Sequence, residues 1–92
     1  MTDDEAQLGR YVRQGVDEAF AALVARHLPL VYSAALRQVG GDEQSANDVA
    51  QKVFIELARN AKRLYHGEMI AGWLYVTTRN IATKTVRGER RR

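Results

Sequence analysis

The chain has 92 residues, of which 46% are hydrophobic and 27% charged, a balance that fits one small globular domain and excludes a second core. It contains no cysteine, which excludes disulfide scaffolds, cysteine-ligated zinc and thiol catalysis. No apolar run approaches the length of a membrane span, and the acidic start at residues 3–5 lacks the basic residues of a signal peptide. We therefore expect no membrane insertion and a cytoplasmic location.

The net charge of +3 is distributed unevenly along the chain. Residues 1–58 carry a net charge of −4, whereas residues 59–92 carry +7 from nine basic and two acidic side chains. A basic end of this kind is typical of proteins that bind a polyanion. A solvated basic face or tail accounts for the charge equally well, so charge alone identifies no partner.

The spacing of apolar residues is helical throughout, so the sequence predicts an all-α fold, a compact bundle of four or five helices. The first helix is expected over residues 3–14, because Thr2 begins a segment with capping-box spacing and Gly15 can end the helix. A second helix is expected to begin with Asp17 as its cap. Pro29 should interrupt or kink that helix, since proline lacks an N–H group and clashes with the preceding turn.

The third predicted helix has the clearest pattern in the chain. Asp42 or Ser45 can cap it, its apolar residues recur at i, i+3, i+4 and i+7, and it should end near Arg63. A loop over residues 64–69 and a fourth helix over about residues 70–87 follow. The side chains that the fourth helix is expected to bury are Ile70, Trp73, Leu74, Thr77 and Ile81.

The face of the third helix opposite its apolar stripe is polar except for Ile55. At about 100° per residue, Asp48 and Ile55 project about 20° apart, which places an apolar side chain among polar ones. Isolated apolar residues are common on protein surfaces and need have no role. The alternative is a surface that docks another helix, because interfaces often have a small apolar centre ringed by polar groups.

The fourth helix carries a second polar stripe, which is rich in arginine. Its basic members are Arg79, Lys84, Arg87, Arg90 and Arg91. Arginine neutralises phosphates, Asn80 can pair bidentately with a base edge, and Thr83 can reach phosphate or base. In the preceding loop, the rings of Tyr65 and His66 could stack on an unpaired base. A solvated amphipathic helix, or a basic helix lying on an anionic membrane, has the same pattern.

Residues suited to catalysis or metal binding are few. Asp48 and Glu56 are eight residues apart on one helix, too far for a close carboxylate pair, and no histidine is placed to assist them. No glycine-rich phosphate loop and no metal-ligand spacing occurs. His27 is expected on a helix surface or partly buried. We therefore predict no catalytic residues, no metal and no cofactor, and an enzyme is the least favoured class.

Four segments carry a resemblance to a known family. They are Ala19-Phe20 with Leu23, residues 28–32, residues 46–54, and residues 72–82 followed by the arginines at 87 and 90–92. These segments resemble region 2 of the sigma-70 family of transcription initiation factors, in particular its extracytoplasmic-function (ECF) group. The resemblance covers nearly the whole chain, and its last two segments are specific. It implies one domain over residues 1–92, with a polymerase-binding helix at 42–62, a loop at 63–69, and a DNA-binding helix and basic tail at 70–92.

The resemblance implies two binding surfaces. In the family, the equivalent of the third helix docks on the clamp helices of the largest subunit of core RNA polymerase. Carried over to this chain, the polymerase-binding residues are Asp48, Gln51, Lys52, Ile55 and Arg59. The loop and the fourth helix would hold promoter DNA, chiefly the single-stranded non-template strand of the −10 element, with Asn80 reading a flipped base. The DNA-binding residues are then Tyr65, His66, Met69, Arg79, Asn80, Thr83, Lys84, Arg87, Arg90 and Arg91.

Two departures from the family pattern accompany the resemblance. Asn47 and Lys52 stand where the family often has acidic residues, which reduces an acidic patch on the third helix. The second domain of the family, region 4, which reads the −35 element, is expected to be absent. Two alternatives remain open: an interaction module masked by an anti-sigma factor, and a helix-turn-helix binder of duplex DNA. A six-residue loop is long for the second alternative.

Overall fold

A computed structural model describes residues 3–64 and 69–90 of the protein. Within these two ranges the chain forms four α-helices and no strand. They are α1 (Asp3–Gln14), α2 (Asp17–Gln38), α3 (Glu43–Leu64) and α4 (Ile70–Arg90). The prediction of an all-α bundle is confirmed. The third helix ends within one residue of its predicted end, and the fourth runs three residues further than predicted.

The second helix is the centre of the bundle. It packs against α1, α3 and α4, and α3 also packs against α4. The core draws on all four helices, and its largest fully buried apolar side chains are Leu8, Leu23, Val31, Val49, Val53, Leu57, Leu64 and Leu74. Burying one such side chain stabilises the fold by about 1.5–3 kcal/mol. The core therefore fixes the relative positions of α3 and α4, on which the candidate binding residues lie.

Glycine ends the first two helices. Gly15 has a φ of 65°, and its N–H group donates to the carbonyl oxygen of Tyr11 at 3.1 Å. Gly40 and Gly41 have φ values of 68° and 85°, and the N–H group of Gly41 donates to the carbonyl oxygen of Leu36 at 2.9 Å. Residues other than glycine are strained at these positive, left-handed φ values. These turns let α2 fold back on α1, and α3 on α2.

The two predicted aspartate caps have different outcomes. Asp42 caps α3: its Oδ1 atom accepts N–H groups from Gln44 at 3.1 Å and Ser45 at 3.4 Å, and its Oδ2 atom accepts the Ser45 hydroxyl at 2.9 Å. The prediction for Asp17 is wrong, because the cap of α2 is Val16 and no side chain bonds there. Asp17 is instead the first helical residue, where its negative charge favours the positive end of the helix dipole. The other predicted cap, at residue 2, lies outside the described residues.

Pro29 does not interrupt α2, contrary to one of the outcomes that the sequence predicts. The helix is continuous from residue 17 to residue 38 with Pro29 inside it. A proline inside a helix removes one backbone hydrogen bond and crowds the preceding turn. Leu23 on one side of it and Val31 and Ala35 on the other are buried in the core. Tertiary packing of both halves therefore outweighs the local penalty.

The buried face of α4 is rotated from the predicted one. Its buried residues are Ile70, Leu74, Thr78 and Ala82, whereas Trp73, Thr77 and Ile81 are only partly buried. The prediction is confirmed for Ile70 and Leu74, but in place of Thr77 and Ile81 the helix buries Thr78 and Ala82, whose small side chains allow close packing against the neighbouring helices. Thr78 is buried without an unsatisfied hydroxyl, since its Oγ1 atom donates to the carbonyl oxygen of Leu74 at 2.6 Å.

One helix among the described residues, α2, has the length and composition of a membrane span. The expectation that no apolar run approaches this length is therefore wrong. The most apolar window of α2 has a mean hydropathy of 1.4, and 33% of that window is buried in the bundle. Core helices of globular domains share this composition, because they must bury side chains against several neighbours. The composition alone is weak evidence for a membrane.

Candidate interaction surfaces on α3 and α4

The exposed face of α3 begins with Asp48 and Gln51. Both side chains are exposed, and the amide of Gln44, one turn earlier, donates to Oδ1 of Asp48 at 3.3 Å. Ile55 follows one turn after Gln51 and is 53% exposed. The structure thus has an exposed apolar side chain beside two polar ones, as the helical projection predicts. Their binding role stays a prediction.

An apolar groove of about 560 Å³ lies between α2 and α3, next to this face. Asn47 and Gln51 line it, and its remaining lining residues are Phe20, Val24, Leu28, Ala50, Phe54, Ile55 and Ala58. Leu28 is 42% exposed although it belongs to the apolar pattern of α2. Periodicity assigns such residues to the core. Only the packing of α2 on α3 shows that they border an open groove.

The arginine-rich stripe of α4 faces solvent. Its exposed members are Arg79, Asn80, Thr83, Lys84 and Arg87. The Thr83 hydroxyl donates to the carbonyl oxygen of Arg79 at 2.8 Å, which leaves its oxygen free only to accept. Thr83 is therefore a poorer phosphate donor than the sequence predicts, since a phosphate oxygen needs a donor.

The predicted DNA-binding residues of the loop and the tail are described only in part. Met69 directly precedes α4 and is 80% exposed. Arg90 is the last residue of α4. Tyr65, His66 and Arg91 lie outside the described residues, so their place in a base pocket stays a prediction.

A second groove, of about 680 Å³, lies between α3 and α4. Its α3 side consists of Lys52, Ile55, Glu56 and Arg59, and its α4 side consists of Thr77, Asn80, Ile81, Lys84 and Thr85. Helical periodicity predicts two separate polar surfaces, one on each of these helices. The structure brings part of each to the same groove, because α3 and α4 pack side by side in the bundle.

The charges around the α3–α4 groove are mostly positive. Lys52, Arg59 and Lys84 line it together with one carboxylate, that of Glu56. Nη1 of Arg59 donates to Oε1 of Glu56 at 3.2 Å, and the side chains of Arg59 and Glu56 are 73% and 39% exposed. An ion pair this exposed contributes at most about 1 kcal/mol to stability. Arg59 can therefore leave Glu56 for a stronger anion at little cost.

No group of three or more histidine, aspartate or glutamate side chains is placed to hold a metal ion in the part of the chain that the structure describes. The exposed faces of α3 and α4 offer docking, hydrogen-bonding and phosphate-neutralising groups. Together with the fold, they define a helical domain that carries a partly apolar exposed face on α3 beside a basic face on α4.

Comparison with protein families matches residues 23–92 to sigma-70 region 2. The chain therefore belongs to the sigma-70 region 2 family, whose role is promoter recognition and RNA polymerase binding in transcription initiation, and which is not an enzyme family. The match includes all of α3 and α4 and most of α2. Comparison with curated proteins gives no match, and comparison with solved structures gives none either.

Proposed function

We propose that the protein is an ECF-type sigma-factor domain of the cytoplasm that binds core RNA polymerase through α3 and the melted −10 element of a promoter through α4 and the loop before it. The observation that carries this proposal is the side-by-side packing of α3 and α4, which brings Ile55 of α3 and Asn80 of α4 to one groove. A factor that brings promoter DNA to polymerase needs these two surfaces next to each other on one rigid body. Family membership supports the same two partners.

The polymerase would dock on the first half of α3 and on the α2–α3 groove. Asp48 and Gln51 offer hydrogen bonds to a helical partner, and Leu28 and Ile55 offer exposed apolar area at 42% and 53% exposure. An apolar groove beside polar anchors fits a helix that inserts side chains at three- and four-residue steps. The clamp helices of the largest subunit are such a partner. Lys52 and Arg59, which the family resemblance also assigns to the polymerase, lie on the border with the α3–α4 groove.

The DNA would lie along α4. Asn80 presents an amide to a base edge, Arg79, Lys84 and Arg87 neutralise phosphates, and Met69, which directly precedes α4, would contact a neighbouring nucleotide. The side chains of Tyr65, His66, Arg90 and Arg91 would complete the contacts. Binding a single strand more tightly than a duplex shifts the equilibrium toward the melted state, so no bond is broken and no catalytic residue is required.

The polymerase surface is tested by Gln51→Ala, with Gln38→Ala as the matched control. Both glutamines are exposed, and Gln38 ends α2 without lining either groove. We expect Gln51→Ala to weaken binding to core RNA polymerase about tenfold, since a central interface residue contributes more than about 1 kcal/mol. Fluorescence anisotropy of the labelled protein with purified core enzyme measures this. Equal affinities for the two variants would contradict the docking surface, and a wild-type chain that does not bind core enzyme would contradict the function.

A further inference from the structure

Two cations of α3, Lys52 and Arg59, line the α3–α4 groove, although the family resemblance assigns them to the polymerase surface. We propose that Lys52 and Arg59 bind DNA rather than polymerase. With Lys84 of α4, they hold the backbone of the single strand whose base lies at Asn80. The proposal rests on the proposed function, because it requires that α4 binds single-stranded DNA.

The two cations of α3 lie beside the residue proposed to read the base. Lys52, Arg59 and Lys84 line the same groove as Asn80. Asp48 and Gln51 do not line that groove, and Gln51 lines the apolar groove on the other side of α3. Gln51 thus faces the apolar groove and the two cations face the α3–α4 groove, with Ile55 lining both.

The lining of the groove has a net positive charge. Three cations and one carboxylate line the groove, and that carboxylate, Glu56, is already paired with Arg59. A polyanion gains from this arrangement through the release of its counterions. Lys52 and Arg59 are seven residues apart, which is about 10 Å along the helix axis. Cations this far apart cannot both contact one phosphate group, so they contact different phosphates of the strand.

The size and the lining side chains of the groove suit a nucleotide. Its volume of about 680 Å³ is within the usual range for small-molecule sites, about 300–1,000 Å³, so it can accept a base with its sugar. Ile81 supplies apolar surface for the flat face of a base, and the amide of Asn80 offers both donors and an acceptor to its edge. Apolar surface, an amide and flanking cations together suit a nucleotide in a single strand.

The test uses three groove variants, Lys52→Ala, Arg59→Ala and Lys52→Ala/Arg59→Ala. The control variant is Arg37→Ala. Arg37 is an exposed arginine of α2 that does not line the groove. Each variant is titrated with a labelled 12-nucleotide single-stranded DNA over a range of salt concentrations, and separately with core polymerase without DNA. We expect the slope of log K against log salt to become shallower by about 0.7 for each groove cation removed, with no change for Arg37→Ala. The affinity for core polymerase should stay within about twofold for all four variants.

Glu56→Gln supplies a test in the opposite direction. Removing the carboxylate from the groove should tighten single-stranded DNA binding severalfold and leave polymerase binding unchanged. The proposal is overturned if Lys52→Ala and Arg59→Ala lose polymerase affinity while their DNA slopes equal that of Arg37→Ala. A wild-type chain that fails to bind the single strand or the polymerase contradicts the proposed function, and with it this proposal. A wild-type chain that binds both, while the DNA slopes of the groove variants equal that of Arg37→Ala, contradicts this proposal alone, so the two failures are distinguishable.

Discussion

Nε2 of His27 lies 3.0 Å from Oδ2 of Asp4, and this contact fastens α1 to α2. His27 is 7% exposed and therefore buried. The sequence-based expectation of a surface or partly buried residue is wrong. Arg26 adds longer contacts, with Asp3 at 3.5 Å and with Oδ1 of Asp4 at 3.7 Å. That Oδ1 atom is buried and has no hydrogen-bond partner among the described residues. The contact between Asp4 and His27 is therefore a polar link between α1 and α2 whose imidazole is buried.

We predict that Asp4→Ala destabilises the protein by about 1–3 kcal/mol, because it leaves the buried imidazole of His27 without a partner. For a domain of this size, each kcal/mol lowers the melting temperature by about 4–8 °C. Thermal unfolding followed by circular dichroism measures the change. The double variant Asp4→Ala/His27→Leu should lose less than the sum of the single variants, because neither polar group then remains buried alone.

Asp3→Ala is the matched control for that prediction. Asp3 also contacts α2, through Arg26, but its side chain is 86% exposed. An ion pair in that setting is screened by water and contributes less than about 1 kcal/mol. If Asp3→Ala lost as much stability as Asp4→Ala, attraction between exposed charges would hold α1 in place, and not the contact between Asp4 and the buried His27.

The cap of α3 predicts a pH dependence of stability. The Ser45 hydroxyl, followed by the backbone N–H groups of Ser45 and Gln44, holds the pKa of Asp42 below its ordinary value. A carboxylate whose pKa is lowered in the folded state adds stability above its unfolded pKa, about 3.9, and loses it as the pH falls through the folded pKa. We expect the stability difference between wild type and Asp42→Ala to be constant near pH 7 and to shrink below about pH 4. Urea unfolding at several pH values measures it.

Asp17→Ala is the control for the cap, because Asp17 begins α2 without any side-chain capping bond. Its effect on stability should be smaller than that of Asp42→Ala at pH 7. A pH-independent effect of Asp42→Ala would contradict the assignment of the ionised carboxylate as the cap. Ser45→Ala should also weaken the dependence, since it removes the largest cause of the lowered pKa of Asp42.

The two exposed polar residues Asn80 and Arg87 should affect DNA binding differently. Asn80 lines the α3–α4 groove and Arg87 does not. Asn80→Ala should reduce the preference between single-stranded −10 sequences by about 1–3 kcal/mol, the usual effect of losing a bidentate base contact. Arg87→Ala should weaken binding to every sequence alike and reduce the salt slope by about 0.7. Equal losses of preference in fluorescence anisotropy would rule out Asn80 as the reader of the base.

The residues of the candidate site show what periodicity can and cannot predict. Projecting α3 as a helix correctly predicts that Asp48 and Ile55 share an exposed face, because that relation depends only on local geometry. The joint groove of Ile55 and Asn80 is not predictable in this way, since 25 residues separate them and their proximity depends on how α3 and α4 pack. The same limit applies to Leu28, which looks like a core residue until the position of α3 is known.

The sequence by itself determined one cysteine-free, all-α domain with an acidic front and a basic back, and its glycines placed the ends of the first two helices. These features follow from local preferences that act within a few residues. Only the tertiary structure decided that Pro29 stays inside a helix, that α4 buries Thr78 and Ala82, and that His27 meets Asp4. It also decided that the cations of α3 share a groove with Asn80. Each of these depends on which helix faces overlap, and that depends on close packing between residues far apart in the chain.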